Sequence, residues 1–481
     1  MSLNFNSFIF VNNFFSLSNF FFFGVFLVTT SFFLVNVGSG LVKNKLLNHI
    51  LKKTYLFLLS IGLIIYILNY LFLTYFFNTI VCISTLSVVL IILVFLTGIV
   101  SYAYLSEKGL YKNNFFYIYF YIFILTTIGL VTTSNLVIMF LYFEFIFLPS
   151  LIFVYKFGYA KKTIKTISFL FSWTFAGSVC VLISLLYLVS VYQLTNIVQL
   201  KYISFSSMEQ KLNLLLIFLG FGIKIPVWPW YYWLTKVHVE APTGFSIFLS
   251  GFLVKTAFYC FAQLFYLFQN VTITPLILSV VFIGVLDSSV RMWSATDIKR
   301  LIALATVQEM NLIALLFLLT SNINNMFVGL FLFVHGCLSG FFFFLIDQVQ
   351  KRTHTRNLTA ISGLNIYMPT LTSLVWISLL IFRGFPLFIK FLIEWEILIL
   401  LIQNFFIFGF LAFFVFSFAG VLGFARIWFI CLYGQPQGVT LRYDLAQKDV
   451  VFGLFFSAIL FLLNFFFFFM WLEFYINFLS R

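Results

Sequence analysis

The sequence predicts an all-α membrane protein of about 14 transmembrane helices, with two inverted five-helix repeats and broken helices at spans 7 and 12. Three observations carry this reading: the composition, the alternation of basic loops, and prolines set inside two apolar spans. Of 481 residues, 63% are hydrophobic and only 8% are charged, with a mean hydropathy of +1.12. A soluble domain carries about 25% charged residues. Too little polar material exists here to build a water-facing surface, so a soluble enzyme is excluded. Runs such as Leu411–Ala419 do not alternate as a transmembrane β-barrel requires.

Taken in order, apolar runs between polar punctuation place spans at 14–37, 54–77, 79–104, 115–133, 135–156, 165–192, 211–232, 244–268, 272–292, 298–320, 325–347, 366–401, 404–433 and 450–475. Each is long enough to cross a bilayer as a helix, and the twelfth is broken. The expected organisation is spans 1–3 in residues 1–110, a first repeat (spans 4–8) in 111–270, a second (spans 9–13) in 271–440, and a last span in 441–481.

The charge pattern tests the span count. Lys and Arg number 27 against 13 Asp and Glu, a net charge of +14. The excess is scattered through short loops, whereas nucleic-acid binding needs a concentrated basic face. Nineteen of the basic residues, from Lys43 to Lys448, follow odd-numbered spans; the other side holds Lys201, Lys211 and Arg481. This is the positive-inside pattern, and a missed span would scramble it. The odd loops, Lys161–Lys165 among them, are therefore expected on the cytoplasmic or matrix face, with both termini opposite. The first basic residue is Lys43, so no secretory or transit signal is expected. Together with 74 phenylalanines, a bias that an AT-rich coding genome would produce, this points to synthesis inside an organelle.

The remaining five basic residues, Lys224, Lys255, Arg383, Lys390 and Arg426, fall within or beside apolar spans. Span 7 carries Pro226 and Pro229 just after Lys224, and span 12 carries Gly384 and Pro386 ahead of Glu394. Proline removes a backbone donor, and freed carbonyls are tolerated at membrane depth only where protein or water covers them. Interrupted helices in corresponding halves mark repeat-built transporters. Glu144, Lys224, Lys255 and Glu394, the last beside Glu396, stand out among the ionisable groups in these spans, with His238 at a span end, and such groups cost about 2.5–3.5 kcal/mol at mid-bilayer on insertion scales. One reading is a static ion pair fixing helix packing. The other is a proton relay, because burial and a neighbouring opposite charge push the protonation equilibrium in opposite directions. His335 lies mid-span and can carry a proton near neutral pH.

No GxGxxG after a strand, P-loop, HExxH or GxSxG motif is present. The five cysteines stand far apart in apolar segments, with no zinc or iron–sulfur spacing. No cofactor or metal site is expected in this chain.

The segment GFGIKIPVWPWYYWLTKVHVEAPTGFSIFLSGFLVKTAFY (220–259) resembles the longest signature of the antiporter-like, proton-pumping subunit 4 family of NADH dehydrogenase, respiratory complex I. FEFIFLP (143–149), TDIKRLIALATVQEM (296–310), HGCLSG (335–340), RTHTR (352–356) and FPLFIKFLIEWEIL follow in the family's order. The resemblance implies that Glu144, Lys224, Lys255, His335 and Glu394 are the relay residues, driven at a distance by quinone reduction. It implies partners too: other membrane-arm subunits, especially neighbouring antiporter-like ones, and membrane lipids such as cardiolipin. FMN, iron–sulfur clusters and ubiquinone are then expected in partner subunits, and the mitochondrial inner membrane is the expected location. A multi-subunit sodium/proton antiporter is the alternative.

The sequence departs from that pattern at Glu309, where relatives often have histidine, at Lys390, where a neutral residue is common, and at Lys351, where an acidic one is common. Two geometric expectations follow. Glu144 lies within reach of Lys224. Lys224, Lys255, His335 and Glu394 form one polar row, with Lys224 and Glu394 as symmetry partners.

Overall fold

The computed structural model describes residues 84–107, 114–158, 163–268, 274–321, 326–386, 388–435, 444–447 and 449–461. The first two expected spans, Cys82, Lys161, Lys162 and both termini lie outside the described residues. The described chain is helical: α1 Thr85–Glu107, α2 Asn114–Thr132, α3 Leu136–Phe157, α4 Thr163–Tyr192, α5 Ser207–Lys224, α6 Tyr232–Glu240, α7 Thr243–Phe268, α8 Thr274–Trp293, α9 Ile298–Thr320, α10 Met326–Thr353, α11 Pro369–Phe382, α12 Ile389–Leu432 and α13 Asp449–Phe461. Six of them, α3, α4, α7, α8, α9 and α10, are long and apolar enough to cross a membrane.

Burial separates these helices into two kinds. The apolar windows of α7 and α9 are wholly buried and that of α10 nearly so, whereas α3, α4 and α8 leave most of theirs uncovered. The enclosed helices carry Lys255, Glu309 and His335, so the charged groups sit where the protein itself replaces lipid. Close approach of α4 and α5 depends on two facing glycines. A Cβ on Gly220 would stand 2.7 Å from the Gly177 carbonyl and 2.4 Å from Val181, the small-residue contact through which membrane helices pack.

The connecting loops segregate to two ends. At one end, the Arg356 side chain donates to the Val239 carbonyl at 2.7 Å and pairs with Asp297 at 3.7 Å, Lys299 donates to the Ala241 carbonyl at 2.6 Å, and the Gly363 N–H donates to the Tyr433 carbonyl. These are the loops that follow odd-numbered spans. At the other end Asn135 bridges to Asn196, and Lys201 lies over the Tyr266 ring at 4.6 Å.

One local motif occurs at both ends. Asn135 caps α3 by accepting from the Val137 and Ile138 N–H groups, and an antiparallel bridge joins it to Asn196. Asp297 caps α9 by accepting from the Lys299 and Arg300 N–H groups, and an antiparallel bridge joins it to Asn357. The same capping and the same bridge, at opposite ends and at matching places in spans 5–7 and 10–12, are the signature of an inverted repeat.

Two boundaries and one helix interior differ from the sequence expectation. Span 7 continues past residue 232 as α6, because Lys236 turns its ammonium onto the Phe169 ring at 3.7 Å and His238 is fully buried. Span 8 contains a π-helical turn, Leu249–Leu253. Spans 12 and 13 are not separated by a loop, since α12 is helical throughout. It is nonetheless not a straight rod. Gln308 lies against Gly420 while its chain neighbour Glu309 bonds Lys390, which limits the Lys390 and Gly420 Cα atoms to about 25 Å. A straight helix would hold them about 45 Å apart, so α12 turns back within that stretch. Its second half returns along α11, with Phe382 on Phe424 and Trp376 on Phe429.

Candidate proton-relay site

The site begins at the break between α5 and α6. Pro226 and Pro229 cannot donate, and two carbonyls at the break find side-chain partners. The Trp233 indole donates to the Ile223 carbonyl at 2.7 Å, and the Asn311 amide to the Pro226 carbonyl at 3.2 Å. Tyr231, in the break, donates to Asp287, which also holds Arg291 at 2.9 Å and so ties the break to α8. Sequence reasoning did not single out Tyr231, Asn311 or Asp287, since their partners are remote in the chain.

Lys224 is the last residue of α5 and is buried. Its ammonium lies 3.6 Å from Glu144 Oε1 and 3.2 Å from the Phe143 ring centre, which supplies an aromatic face in place of water. The expected Glu144–Lys224 contact is therefore present. Glu144 Oε1 is enclosed, while about a third of the side chain (34%) is exposed on the flank of α3. A cavity of about 30 Å³ adjoins this pair, lined by Phe147, Ser150, Thr174, Lys224, Trp233 and Thr256 among others. That is room for one or two water molecules.

Lys255, on α7, is fully buried, and among the described residues no carboxylate lies within ion-pair distance of it. Its ammonium donates to the Ser250 carbonyl at 2.6 Å. The π-turn explains this acceptor: bonds that skip a residue leave carbonyls out of the regular ladder. His335, on α10, is buried, and neither ring nitrogen has a hydrogen-bond partner among the described residues. It lies within electrostatic reach of Lys255 and Lys390.

Glu394, on α12, pairs with Lys390 at 3.5 Å, one helical turn away. Lys390 makes a closer contact that the sequence did not suggest, 2.6 Å to Glu309 on α9, and it donates as well to the Phe382 carbonyl at the end of α11. Glu309 in turn lies within electrostatic reach of Lys255. Lys255, His335 and Glu394 thus share one buried polar cluster with Glu309 and Lys390, while the Glu144–Lys224 pair stands at the α5–α6 break. One expectation needs correction: Lys224 ends the half-helix before its break, whereas Glu394 lies in the half after its break, so the two do not occupy equivalent positions in the repeats.

The other singled-out residues lie away from the row. His238 stacks on Phe343 at 4.7 Å, Lys351 pairs with Asp347 at 3.5 Å, Arg426 lies over Trp293, Arg383 is exposed, and Glu396 makes no ion pair among the described residues. Among the described residues no three His, Cys, Asp or Glu side chains converge as metal ligands would.

Residues 133–423 match the family described as NADH:quinone oxidoreductase/Mrp antiporter, TM. The chain is 36% identical over 379 residues to NADH-ubiquinone oxidoreductase chain 4 of Paramecium tetraurelia, covering 78% of this chain and 80% of that relative. Its fold resembles a chain of the Mrp complex from Dietzia sp. DQ12-45-1b, with a TM-score of 0.82 at 16% identity over 92% of this chain and 93% of that one. It also resembles a chain of respiratory complex I from Thermus thermophilus, with a TM-score of 0.76 at 17% identity over 92% and 96%. At such identities the structural likeness concerns the fold. The sequence match covers most of both chains and the whole polar row, and this chain belongs to the NADH:quinone oxidoreductase/Mrp antiporter transmembrane family.

Proposed function

We propose that this chain is a proton-translocating membrane-arm subunit of NADH:ubiquinone oxidoreductase, with no redox chemistry of its own. Glu144, Lys224, Lys255, His335 and Glu394 pass protons along the row, coupled at a distance to quinone reduction in other subunits. The carrying observation is the Glu144–Lys224 pair at a helix break beside a water-sized cavity. A lysine held 3.6 Å from a carboxylate loses its proton when that carboxylate becomes protonated or moves, because the neighbouring charge that offset its burial is gone. Lys255, with no carboxylate at ion-pair distance among the described residues, accepts the proton next, and His335 offers two ring nitrogens that are unpartnered among those residues toward the second half.

The partly exposed Glu144 bears on partners. An ionised side chain facing lipid is costly, so a neighbouring antiporter-like subunit is the expected cover for that flank of α3. FMN, iron–sulfur clusters and ubiquinone then belong to other subunits, the location is the mitochondrial inner membrane, and cardiolipin is a candidate lipid contact. The repeats are assigned to residues 111–270 and 271–440, flanked by 1–110 and 441–481.

The sodium/proton antiporter reading draws on the Mrp likeness, which at 16% identity is one of fold. The 36% match to a complex I chain favours the first reading. Purification of the native assembly separates the two: flavin and iron–sulfur subunits accompany a complex I subunit and not an antiporter. Within the assembled complex, Glu144→Ala is expected to abolish NADH-driven proton translocation while assembly survives. Unimpaired translocation would leave the pair as packing alone.

A further inference from the structure

The geometry points to Glu309 as a proton-carrying residue of this chain, the second-half counterpart of Glu144, held with Lys390 in a buried Glu309–Lys390–Glu394 triad. This rests on the relay reading above and extends it to two residues outside the family pattern.

The repeat supplies the first argument. Glu144 lies nine residues beyond its cap Asn135, and Glu309 lies twelve beyond the equivalent cap Asp297. A difference of three residues keeps both on the same helix face, one turn apart. Lys224 is the last residue of α5, and the Lys390 ammonium sits on the carbonyl of Phe382, the last residue of α11. Each half therefore places one ammonium at the end of the helix that precedes its break, against one glutamate on the helix that follows its cap. The contacts are 3.6 Å for Lys224–Glu144 and 2.6 Å for Lys390–Glu309. Glu309 and Lys390 are separate departures in the sequence and one pair in the structure.

Charge supplies the second argument. Glu144 and Lys224 balance each other. The triad has two carboxylates for one ammonium, so with all three ionised it carries one surplus negative charge. Lys255, with no carboxylate at ion-pair distance among the described residues, carries one surplus positive charge within electrostatic reach of Glu309. Moving one proton from Lys255 to Glu309 removes both surplus charges from the interior, where isolated charges are most costly. The N–H bond at Lys255 Nζ breaks and an O–H bond forms on Glu309. Its Oε2 is buried and bonded to no described residue, while Oε1 stays on Lys390. His335 lies within electrostatic reach of Lys255 and Lys390 and can take the proton on one ring nitrogen while releasing another from the second. Glu394, on the other side of Lys390, then exchanges protons with Glu309 as the two compete for one ammonium.

The test uses the assembled complex reconstituted in vesicles, reading NADH-driven acidification, NADH oxidation and assembly for Glu309→Gln, Glu309→Asp, Lys390→Met, the double variant Glu309→Gln with Lys390→Met, and Glu144→Gln as reference. Glu309→Gln is expected to lower translocation at least about tenfold, and Glu309→Asp to retain most of it. The infrared difference spectrum of Glu309→Gln should lose a protonated carboxylic acid band. The double variant removes both buried charges, so a purely structural pair would regain wild-type translocation with it. Because Lys390→Met also takes the ammonium from Glu394, support comes from a defective, assembled Glu309→Gln beside a working Glu309→Asp, or, if Glu309→Gln fails to assemble, from a defective double variant beside a working Lys390→Met. Wild-type translocation in Glu309→Gln, or its recovery in the double variant, overturns the proposal. If Glu144→Gln also translocates normally, the relay reading itself falls; if Glu144→Gln is defective, only the role of Glu309 does.

Discussion

Gly384 governs the second half of the row at the scale of a single residue. It has φ = +65°, and a Cβ there would stand 2.5 Å from Glu394 Oε2. Any L side chain meets about 1–2 kcal/mol of backbone strain at such a φ, and it also pushes the Glu394 carboxylate off Lys390. Gly384→Ala is therefore expected to lower the thermal midpoint of the complex and to reduce translocation together, whereas Gly222→Ala, whose nearest contacts are 3.9 Å away, should do neither. The buried ionisable residues are legible in the sequence because a charge inside an apolar span has few harmless explanations. Glu309 and Lys390 are charges of the same kind, yet their meaning lies in a contact across 81 positions, which no local pattern encodes. The Ser250 acceptor of Lys255 is hidden for another reason: it exists only because α7 takes a π-turn.

Among the elements, those with strong punctuation are the legible ones. α3, α4, α8, α9 and α10 begin or end within a few residues of the expected spans, because Asn135 and Asp297 are good caps and the runs between them are apolar all round. α6 is not legible, since Lys236, His238 and Glu240 read as a loop until the Phe169 and Phe343 rings that receive the first two are in view. The bend in α12 falls in the stretch where the sequence separates spans 12 and 13, at about 402–403, although the helix runs on through it without a loop. The paired caps give a prediction at this scale. Asn135→Ala and Asp297→Ala should each cost about 1 kcal/mol, read as a fall in the thermal midpoint of the purified complex. Asp297→Ala should show the larger fall, because it also removes the ion pair with Arg356 and so weakens the link between α9 and the loop before α11.

Across the whole molecule, the two ends differ in charge and in how they are tied together. At the odd-loop end, Asp444 anchors the segment before α13 by accepting from the Thr370, Leu371 and Leu445 N–H groups. Partial burial works to raise its pKa, but these hydrogen bonds outweigh it and hold the carboxyl below its ordinary 3.8. A depressed folded value means that the anchorage is fully present above the unfolded value and is lost only as pH falls below it. Hydrogen exchange in 444–461 should therefore rise in acid below about pH 3.8, and Asp444→Asn should remove that dependence. The same end gathers Lys156, Lys165, Arg291, Arg300, Lys351 and Arg356, against Lys201 and Lys211 at the other, an imbalance that orients a membrane protein with its basic end toward the cytoplasmic or matrix side. Arg300 and Lys201 are both exposed, and Cys260, Cys337 and Cys431 are buried, so the label is read in a background with the partly exposed Cys180, and Cys82, replaced by serine. A membrane-impermeant maleimide should thus reach Arg300→Cys only from the cytoplasmic or matrix side and Lys201→Cys only from the opposite side. Labelling of both from one side would contradict the alternation of spans, and with it the placement of the Lys224 and Lys390 half-sites in oppositely directed halves of the protein.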